Sequence, residues 1–339
     1  MYDVLIIGSG PAGLSAALAA RCHGLDYLVL ERGVVANTIY RFPIAKTLFS
    51  TANELELNPG DFAAGYKPTR EELLQYYCRL AAREQLNILT GVNVFDIQVL
   101  AGTLEEGFVV RSPEEAFEAR NVIIAVGGFG RQRRLEIPGE SPAMVSYSFV
   151  EAFPYATKKV VVAGGGNSAA EAALSLCEAG AGVTMAVRRA SLDLLPRVGD
   201  GPSERAQIKP WVRRPLDEAV SAGRLQLLTS AHLIEIRPGA AVLQIAGPNA
   251  ERFRFEEISC DHILALIGAD PDTSLLERAG AAIAPDGRPV YDRVTYETSL
   301  PGLYVAGHLT RERHIKSAIQ VGRKVVDAIA SQMLVKYGT

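Results

Sequence analysis

One pattern occurs twice in this 339-residue chain and limits its fold more than any other feature: apolar strand, glycine turn, alanine-rich helix, second apolar strand. The stretch from Tyr2 to Arg32 contains DVLIIGSGPAGLSAALAARCHGLDYLVLER, and Lys158 to Arg189 reads KKVVVAGGGNSAAEAALSLCEAGAGVTMAVRR. Gly8, Gly10 and Gly13 match Gly164, Gly166 and Ala169, and the helix-ending Gly24 and Gly180 fall at the same offset. A lone Gly-x-Gly-x-x-Gly is weak evidence. Both copies here follow a strand-like run, open a helix-like run and lead to a second strand, which is the context a dinucleotide fingerprint requires. The first glycine permits the tight turn, the second lets the backbone approach a pyrophosphate, and the third lets helix pack on strand. The helix N-terminus then presents free N–H groups and a partial positive charge to the phosphates. The pattern predicts an α/β chain of two Rossmann-like three-layer (ββα) nucleotide-binding domains.

Between the copies, Asn87 to Thr90, Asn93 to Leu100 and Phe108 to Arg111 are strand-like, separated by Ala101-Gly102 and Glu105-Glu106-Gly107. They predict a small antiparallel meander. Asn121 to Gly128 (NVIIAVGG), Asp261 to Gly268 (DHILALIG) and Gly302 to Gly307 (GLYVAG) each read as a strand running into glycine, and a helix is predicted from Ile315 to Met333. The tail thus returns to complete the first domain, and one nucleotide domain is inserted in the other.

The charged residue ending the second strand selects the nucleotide. In the first copy Glu31 offers a carboxylate to an unmodified ribose, which suits FAD or NAD and repels a 2′-phosphate. In the second copy the position is read as Arg188, followed by Arg189, whose guanidinium groups suit a 2′-phosphate. The expectation is FAD on residues 1–130 and 269–339 and NADPH on residues 131–268, with Asn167 and Ser168 opening the second helix. Hydride transfer from NADPH to a flavin needs position and field from the protein, with no obligatory side-chain acid or base. A catalytic residue is therefore not assigned, and His308 is the candidate contact or proton donor.

A net charge of -3 predicts no affinity for nucleic acid or an anionic membrane. No apolar run reaches bilayer length, and Met1 leads directly into a strand, so a cytoplasmic location is expected. The four cysteines, Cys22, Cys78, Cys177 and Cys260, form no Cys-x-x-Cys pair and are expected to be small buried hydrophobes. Trp211, Tyr76 and Tyr77 are read as packing residues, and His23, His232 and His262 have no metal-ligand spacing.

GSGPAG, Glu31, IIAVGG, GGGNSA-AEAAL, the VRR ending and GLYVAGH together resemble the low-molecular-weight thioredoxin reductase branch of the pyridine nucleotide–disulfide oxidoreductases. NTIYRFPIAKTLFS from Asn37, KPTREELLQYY from Lys67 and IKPW from Ile208 are similar to strings of the YpdA-type, bacillithiol disulfide reductase-like proteins within it. The resemblance implies FAD contacts from Gly8, Gly10, Pro11, Ala12, Gly13, Glu31, Arg32, the backbone near Val94, Gly127, Gly307, and Lys316, Ser317, Ala318 and Ile319 at the start of the last helix. It implies an NADPH-dependent flavoprotein oxidoreductase and a homodimer.

Three departures bear on the acceptor. Val145 to Tyr155, where thioredoxin reductases carry their Cys-x-x-Cys, holds no cysteine. Ala12 stands where bacillithiol disulfide reductases are thought to use a cysteine, and Gly307-His308 replaces the usual Gly-Asp. The expected partner is a low-molecular-weight disulfide. The alternative is a small acidic electron carrier, as for a ferredoxin/flavodoxin–NADP reductase of the thioredoxin reductase type, and a flavin-binding sensor is the third reading. Arg131, Arg133, Arg134, Arg311, Arg313, His314 and Lys316 are weighed as a basic rim guiding such a partner, against ordinary solvated charge.

Overall fold

The structure, a computed structural model, describes residues 1–100, 107–192, 208–247, 252–312 and 314–337. The turn residues Ala101-Gly102 and Glu105-Glu106, and Arg313, lie outside the described residues. The chain divides into two compact units, Met1–Arg131 with Asp270–Thr339, and Gln132–Ala269.

The first unit opens with β1 (Tyr2–Ile7), α1 (Pro11–Cys22) and β2 (Tyr27–Glu31). Two short helices, α2 (Asn37–Tyr40) and α3 (Ala52–Leu55), precede α4 (Arg70–Arg83). The start of α4 is set by a capping box: Glu72 Oε2 accepts from the Thr69 N–H at 2.7 Å, and Thr69 Oγ1 accepts from the Glu72 N–H at 3.3 Å. On its inner face Tyr76 and Tyr77 are buried, as expected of packing residues, with Phe62 stacked on Tyr76 at 4.5 Å. Then come β3 (Ile88–Thr90), β4 (Asp96–Val99), β5 (Phe108–Arg111) and β6 (Ala116–Ile124).

Two details differ from the sequence reading. Ile88–Thr90 is not part of the meander: it pairs parallel with β2, because the α4 crossover returns the chain in the same direction. The strand read as starting at Asn121 begins at Ala116 and serves three partners, with β1 parallel along one edge and two strands sharing the other. Its first half runs antiparallel to β5, and its second half runs parallel to the later strand through Leu303–Val305.

At the unit boundary β7 (Arg131–Gln132) leads into β8 (Val145–Ser146), β9 (Lys159–Ala163), α5 (Asn167–Glu178) and β10 (Gly182–Ala186). After α6 (Pro210–Ser221) the chain forms β11 (Leu225–Leu228), the antiparallel β12 (Ala231–Arg237), β13 (Ala240–Ala246) and β14 (Phe253–Ser259), and β15 (His262–Ala265). Trp211, read as a packing residue, is instead 49% exposed, since it sits on the outer face of the first turn of α6 while Val212 and Leu216 turn inward. The chain returns through β16 (Ala269–Asp270), which pairs with β7, to α7 (Ser274–Ala279), β17 (Leu303–Val305) and α8 (Ile315–Tyr337).

Each unit stacks helices, a parallel sheet and an antiparallel layer. In the first, the order is β3-β2-β1-β6-β5-β4 with β17 beside β6. Alternation of side chains along β1 divides the core. Val4 and Ile6 pack with Ala16, Ala20, Val325 and Ile329 of α1 and α8, while Leu5 and Ile7 pack with Ile97, Phe108 and Val110 of the meander. Close approach of α1 and α8 explains the alanines: a Cβ on Gly322 would lie 2.1 Å from the Ala12 carbonyl oxygen. Ser15 Oγ also donates to the Ile319 carbonyl at 2.7 Å. In the second unit the parallel sheet runs β11-β10-β9-β15-β8, and the β12-β13-β14 sheet closes over Val161, Ala163 and Ile263. Among the described residues no helix is long and apolar enough to cross a membrane.

Candidate functional site

Parallel register brings the carboxyl ends of four strands together in the first unit. Ile7 pairs with Leu30 and Ile124, and Ile124 with Val305. Ligands of open α/β sheets bind beyond such ends. Here the chain leaves β1 through Gly8–Gly10, β2 through Glu31–Gly33, β6 through Gly127-Gly128 and β17 through Gly307-His308. Most sequence-predicted flavin residues therefore share one edge.

The glycines of the first turn have separate reasons. Gly8 has φ +104°, and a Cβ there would lie 2.6 Å from the Ala125 oxygen. A Cβ on Gly13 would lie 1.9 Å from the Gly8 oxygen, whereas one on Gly10 would meet nothing within 4 Å. The backbone over the start of α1 is thus open, and α1 has Gly10 as N-cap with no side-chain cap. First-turn N–H groups of a helix have no intrahelical partner, so this end fits a phosphate.

Glu31 is 6% exposed and still fully engaged. Its carboxylate accepts from the Ser9 N–H at 2.8 Å, the Ser9 hydroxyl at 3.0 Å and the Gly33 N–H at 2.8 Å. Two carboxylate oxygens have about four lone-pair sites, which leaves capacity for a ribose hydroxyl. Ser9 went unrecognised in the sequence; its signal was a hydroxyl in the middle of the glycine turn.

The remaining predicted contacts divide. Gly127, at φ +80°, is open apart from Thr38 Oγ1 at 3.9 Å from a Cβ position. Gly307, at φ +67°, faces Ala12 across the helix start. Ser317 and Ala318 are half-buried and Ile319 is buried. Lys316 turns away to an ion pair with Glu54 at 3.0 Å, Arg32 is exposed, and the Val94 side chain packs into the core.

His308 lies in the 3₁₀ turn Gly307–Leu309. Its ring meets Phe129 edge-on, centroids 5.1 Å apart, and Gly128 makes room for it: a Cβ there would sit 2.5 Å from His308 Cδ2. Burial, reinforced by the nearby Arg288 and His314, pushes its pKa below the usual histidine value. The imidazole is therefore neutral near pH 7, with one donor and one acceptor nitrogen.

In the second unit the same turn forms after β9. Gly164 has φ +144°, and a Cβ there would lie 2.4 Å from the Leu266 oxygen. Gly166 caps α5 without a side-chain bond, and its Cβ position is open. Ala169 replaces the third glycine and is fully buried, its Cβ 3.1 Å from a Cβ position on Gly164. Ser168 is exposed, while Asn167 Oδ1 accepts from the Lys209 N–H at 2.8 Å and so ties α5 to α6.

Register corrects the position read as equivalent to Glu31. Ile7 pairs with Leu30 in the first unit and Ala163 with Ala186 in the second, so the residue after Ala186, buried Val187, is the counterpart of Glu31. Arg188 follows one place later and is exposed; Arg189 is half-buried and donates to the Gly165 carbonyl. The second turn therefore carries no acid against a 2′-phosphate. Both cradles fit the pyrophosphate of a dinucleotide, on open N-caps and small residues.

The cysteine expectation holds for Cys260 alone. Cys22 and Cys78 are exposed and Cys177 is intermediate, because the first two fall on the outward faces of α1 and α4. Burial pushes the Cys260 thiol up to about 11, and also raises Cys78 and Cys177. Ala12 is buried against Gly307. Two members of the supposed basic rim are engaged: Arg134 lies over the Tyr147 ring at 4.3 Å, and Lys316 pairs with Glu54. Burial raises the Asp272 pKa, but Ser274 and the fields of Arg131 and Arg32 outweigh it and lower it overall. Among the described residues no His, Cys, Asp and Glu group could hold a metal.

Comparison with known proteins agrees with this geometry. The family model of pyridine nucleotide-disulphide oxidoreductases matches residues 5–307. The chain is 33% identical over 305 residues to the bacilliredoxin reductase Bdr of Bacillus subtilis, covering 89% of this chain and 88% of that one. It is 27% identical to a ferredoxin–NADP reductase of Ignicoccus hospitalis, covering 91% and 90%. Its fold matches the structure of the bacillithiol disulfide reductase Bdr (YpdA) of Staphylococcus aureus with a TM-score of 0.85, at 30% identity over 99% of each chain. The resemblance read from the local strings thus holds across the chain. The chain belongs to the pyridine nucleotide-disulphide oxidoreductase family: it is an NAD(P)H-dependent flavoprotein oxidoreductase, and FAD and NADPH are the cofactors that membership implies.

Proposed function

We propose that FAD is held by the first unit, NADPH by the second, and that electrons pass from NADPH through FAD to a low-molecular-weight disulfide of the bacillithiol type. The observation that carries the cofactor assignment is the contrast between the two second-strand ends. One has a buried carboxylate, Glu31, bonded into its glycine turn; the other has Val187 followed by Arg188 and Arg189. When bound, NADPH supplies a hydride and FAD accepts two electrons. The chain's own part is to seat two pyrophosphates on the α1 and α5 N-termini and to keep a neutral imidazole, His308, beside the β17 exit. The relatives named for bacilliredoxin and bacillithiol disulfide support the acceptor class. The same reading makes the protein a cytoplasmic homodimer, which light scattering tests for oligomeric state.

A second reading has its own support. No cysteine lies in either glycine turn, and Ala12 is packed against Gly307, so a thiol relay at that position is closed. A ferredoxin- or flavodoxin-linked reductase needs no such thiol, and a relative named ferredoxin–NADP reductase matches over 91% of the chain.

One experiment separates them. Anaerobic NADPH is added to the yellow protein, and the flavin band is followed as bacillithiol disulfide, ferredoxin or flavodoxin is supplied. Bleaching by NADPH and recovery with the disulfide is expected. Recovery with ferredoxin or flavodoxin alone selects the second reading, and no bleaching at all removes both.

A further inference from the structure

The two glycine turns are latched in the same place with opposite polarity. In the first unit the middle residue, Ser9, is gripped through its N–H and hydroxyl by Glu31. In the second unit the middle residue, Gly165, is gripped through its carbonyl by a guanidinium N–H of Arg189. A Cβ on Gly165 would lie 2.8 Å from Val187 Cγ1 and 3.0 Å from Arg189 Nη2. Val187 and Arg189 thus both face the turn, while Arg188 is exposed to solvent.

This arrangement is pinned on the main chain. Val187 donates to Leu228 at 2.8 Å, Ala231 donates to Val187 at 3.0 Å, and Ser230 donates to Arg189 at 2.8 Å. The Gly165 carbonyl and the Gly166 N–H belong to one planar peptide and point in opposite directions. A guanidinium holding the carbonyl therefore sets the direction of the Gly166 N–H at the cap of α5, where a pyrophosphate would sit.

We propose that the two arginines do different work: Arg189 is a positioning residue that holds the pyrophosphate turn for NADH and NADPH alike, and Arg188 discriminates for the 2′-phosphate. The proposal rests on the reading of the second unit as the NADPH site. It differs from a shared phosphate clamp in what each substitution does to the preference between nucleotides.

The test is calorimetric titration of the FAD-loaded protein with NADP⁺ and NAD⁺, and with adenosine 2′,5′-bisphosphate and adenosine 5′-monophosphate as fragments. Arg188→Gln is expected to weaken NADP⁺ and the bisphosphate by about tenfold or more, by loss of a charge-assisted pair, with NAD⁺ nearly unchanged. Arg189→Ala is expected to weaken NADP⁺ and NAD⁺ by the same factor, leaving their ratio intact. Arg189→Lys, which keeps a donor for the carbonyl, is expected to recover most of that loss. If Arg189→Ala erases the preference as Arg188→Gln does, or leaves both affinities unchanged, the division of labour is wrong. If the unaltered protein binds NADP⁺ and NAD⁺ equally, the NADPH reading and the Arg188 role both fall. The Arg189 role is then still decided by whether NAD⁺ binding weakens.

Discussion

Glu31 reaches back 22 residues to bind Ser9 twice, at 2.8 Å to its N–H and 3.0 Å to its hydroxyl. The residue that ends β2 thereby fixes the shape of the turn that ends β1. Glu31→Ala leaves the Ser9 N–H and hydroxyl buried without partners, at a cost of about 1–3 kcal/mol. The FAD dissociation constant, read from flavin fluorescence on dilution, is expected to rise about tenfold or more, since 1.4 kcal/mol is one decade. Ser9→Ala, which removes only the hydroxyl, should do less. Unchanged flavin retention in Glu31→Ala would count against the turn as the flavin site.

The third positions of the two turns are not interchangeable. Gly13→Ala drives a methyl to 1.9 Å from the Gly8 oxygen, whereas Ala169 already carries its methyl without a clash. Gly13→Ala is expected to destabilise the first unit by about 1–3 kcal/mol or more through overpacking and to lower flavin content. Ala169→Gly should cost about 1 kcal/mol through helix propensity and leave nucleotide binding in place. Thermal unfolding with and without FAD reads the contrast.

His308 gives the stability a sign with pH. Its folded pKa is depressed below 6.5 by burial and by Arg288 and His314, so the unfolded chain takes up the proton first. Stability therefore rises with pH between the folded value and 6.5 and is lost as pH falls through that window. Denaturant titrations of His308→Gln are expected to show a flatter pH dependence there than the unaltered protein. Parallel curves would show that the imidazole is solvated after all.

Thiol labelling follows burial. Ellman's reagent on the native protein is expected to react first at the exposed Cys22 and Cys78, while the buried Cys260 reacts only on unfolding. A Cys260→Ser variant should leave the native labelling trace unchanged, and a missing fast phase in it would contradict the packing of the β12-β13-β14 layer.

Both strand–turn–helix units could be read from residue order, because the glycines at 8, 10 and 13 and at 164 and 166 answer local demands: a positive φ, a backbone approach, an open N-cap. The alternating apolar residues of β1 likewise declare two buried faces. The choice of cofactors followed from the same stretches, since Glu31, Arg188 and Arg189 sit beside their turns in sequence.

Other features depended on partners far away in the chain. Ile88–Thr90 became a parallel edge strand only through its pairing with β2, and the counterpart of Glu31 shifted from Arg188 to Val187 only when the two registers were compared. Likewise, nothing local separates Arg188 from Arg189; the ladder to Leu228 and Ser230 turns one to the solvent and the other to Gly165. Short-range sterics is written in neighbouring residues. The direction in which a side chain points depends on which strand lies alongside, and that is settled only when the sheet closes.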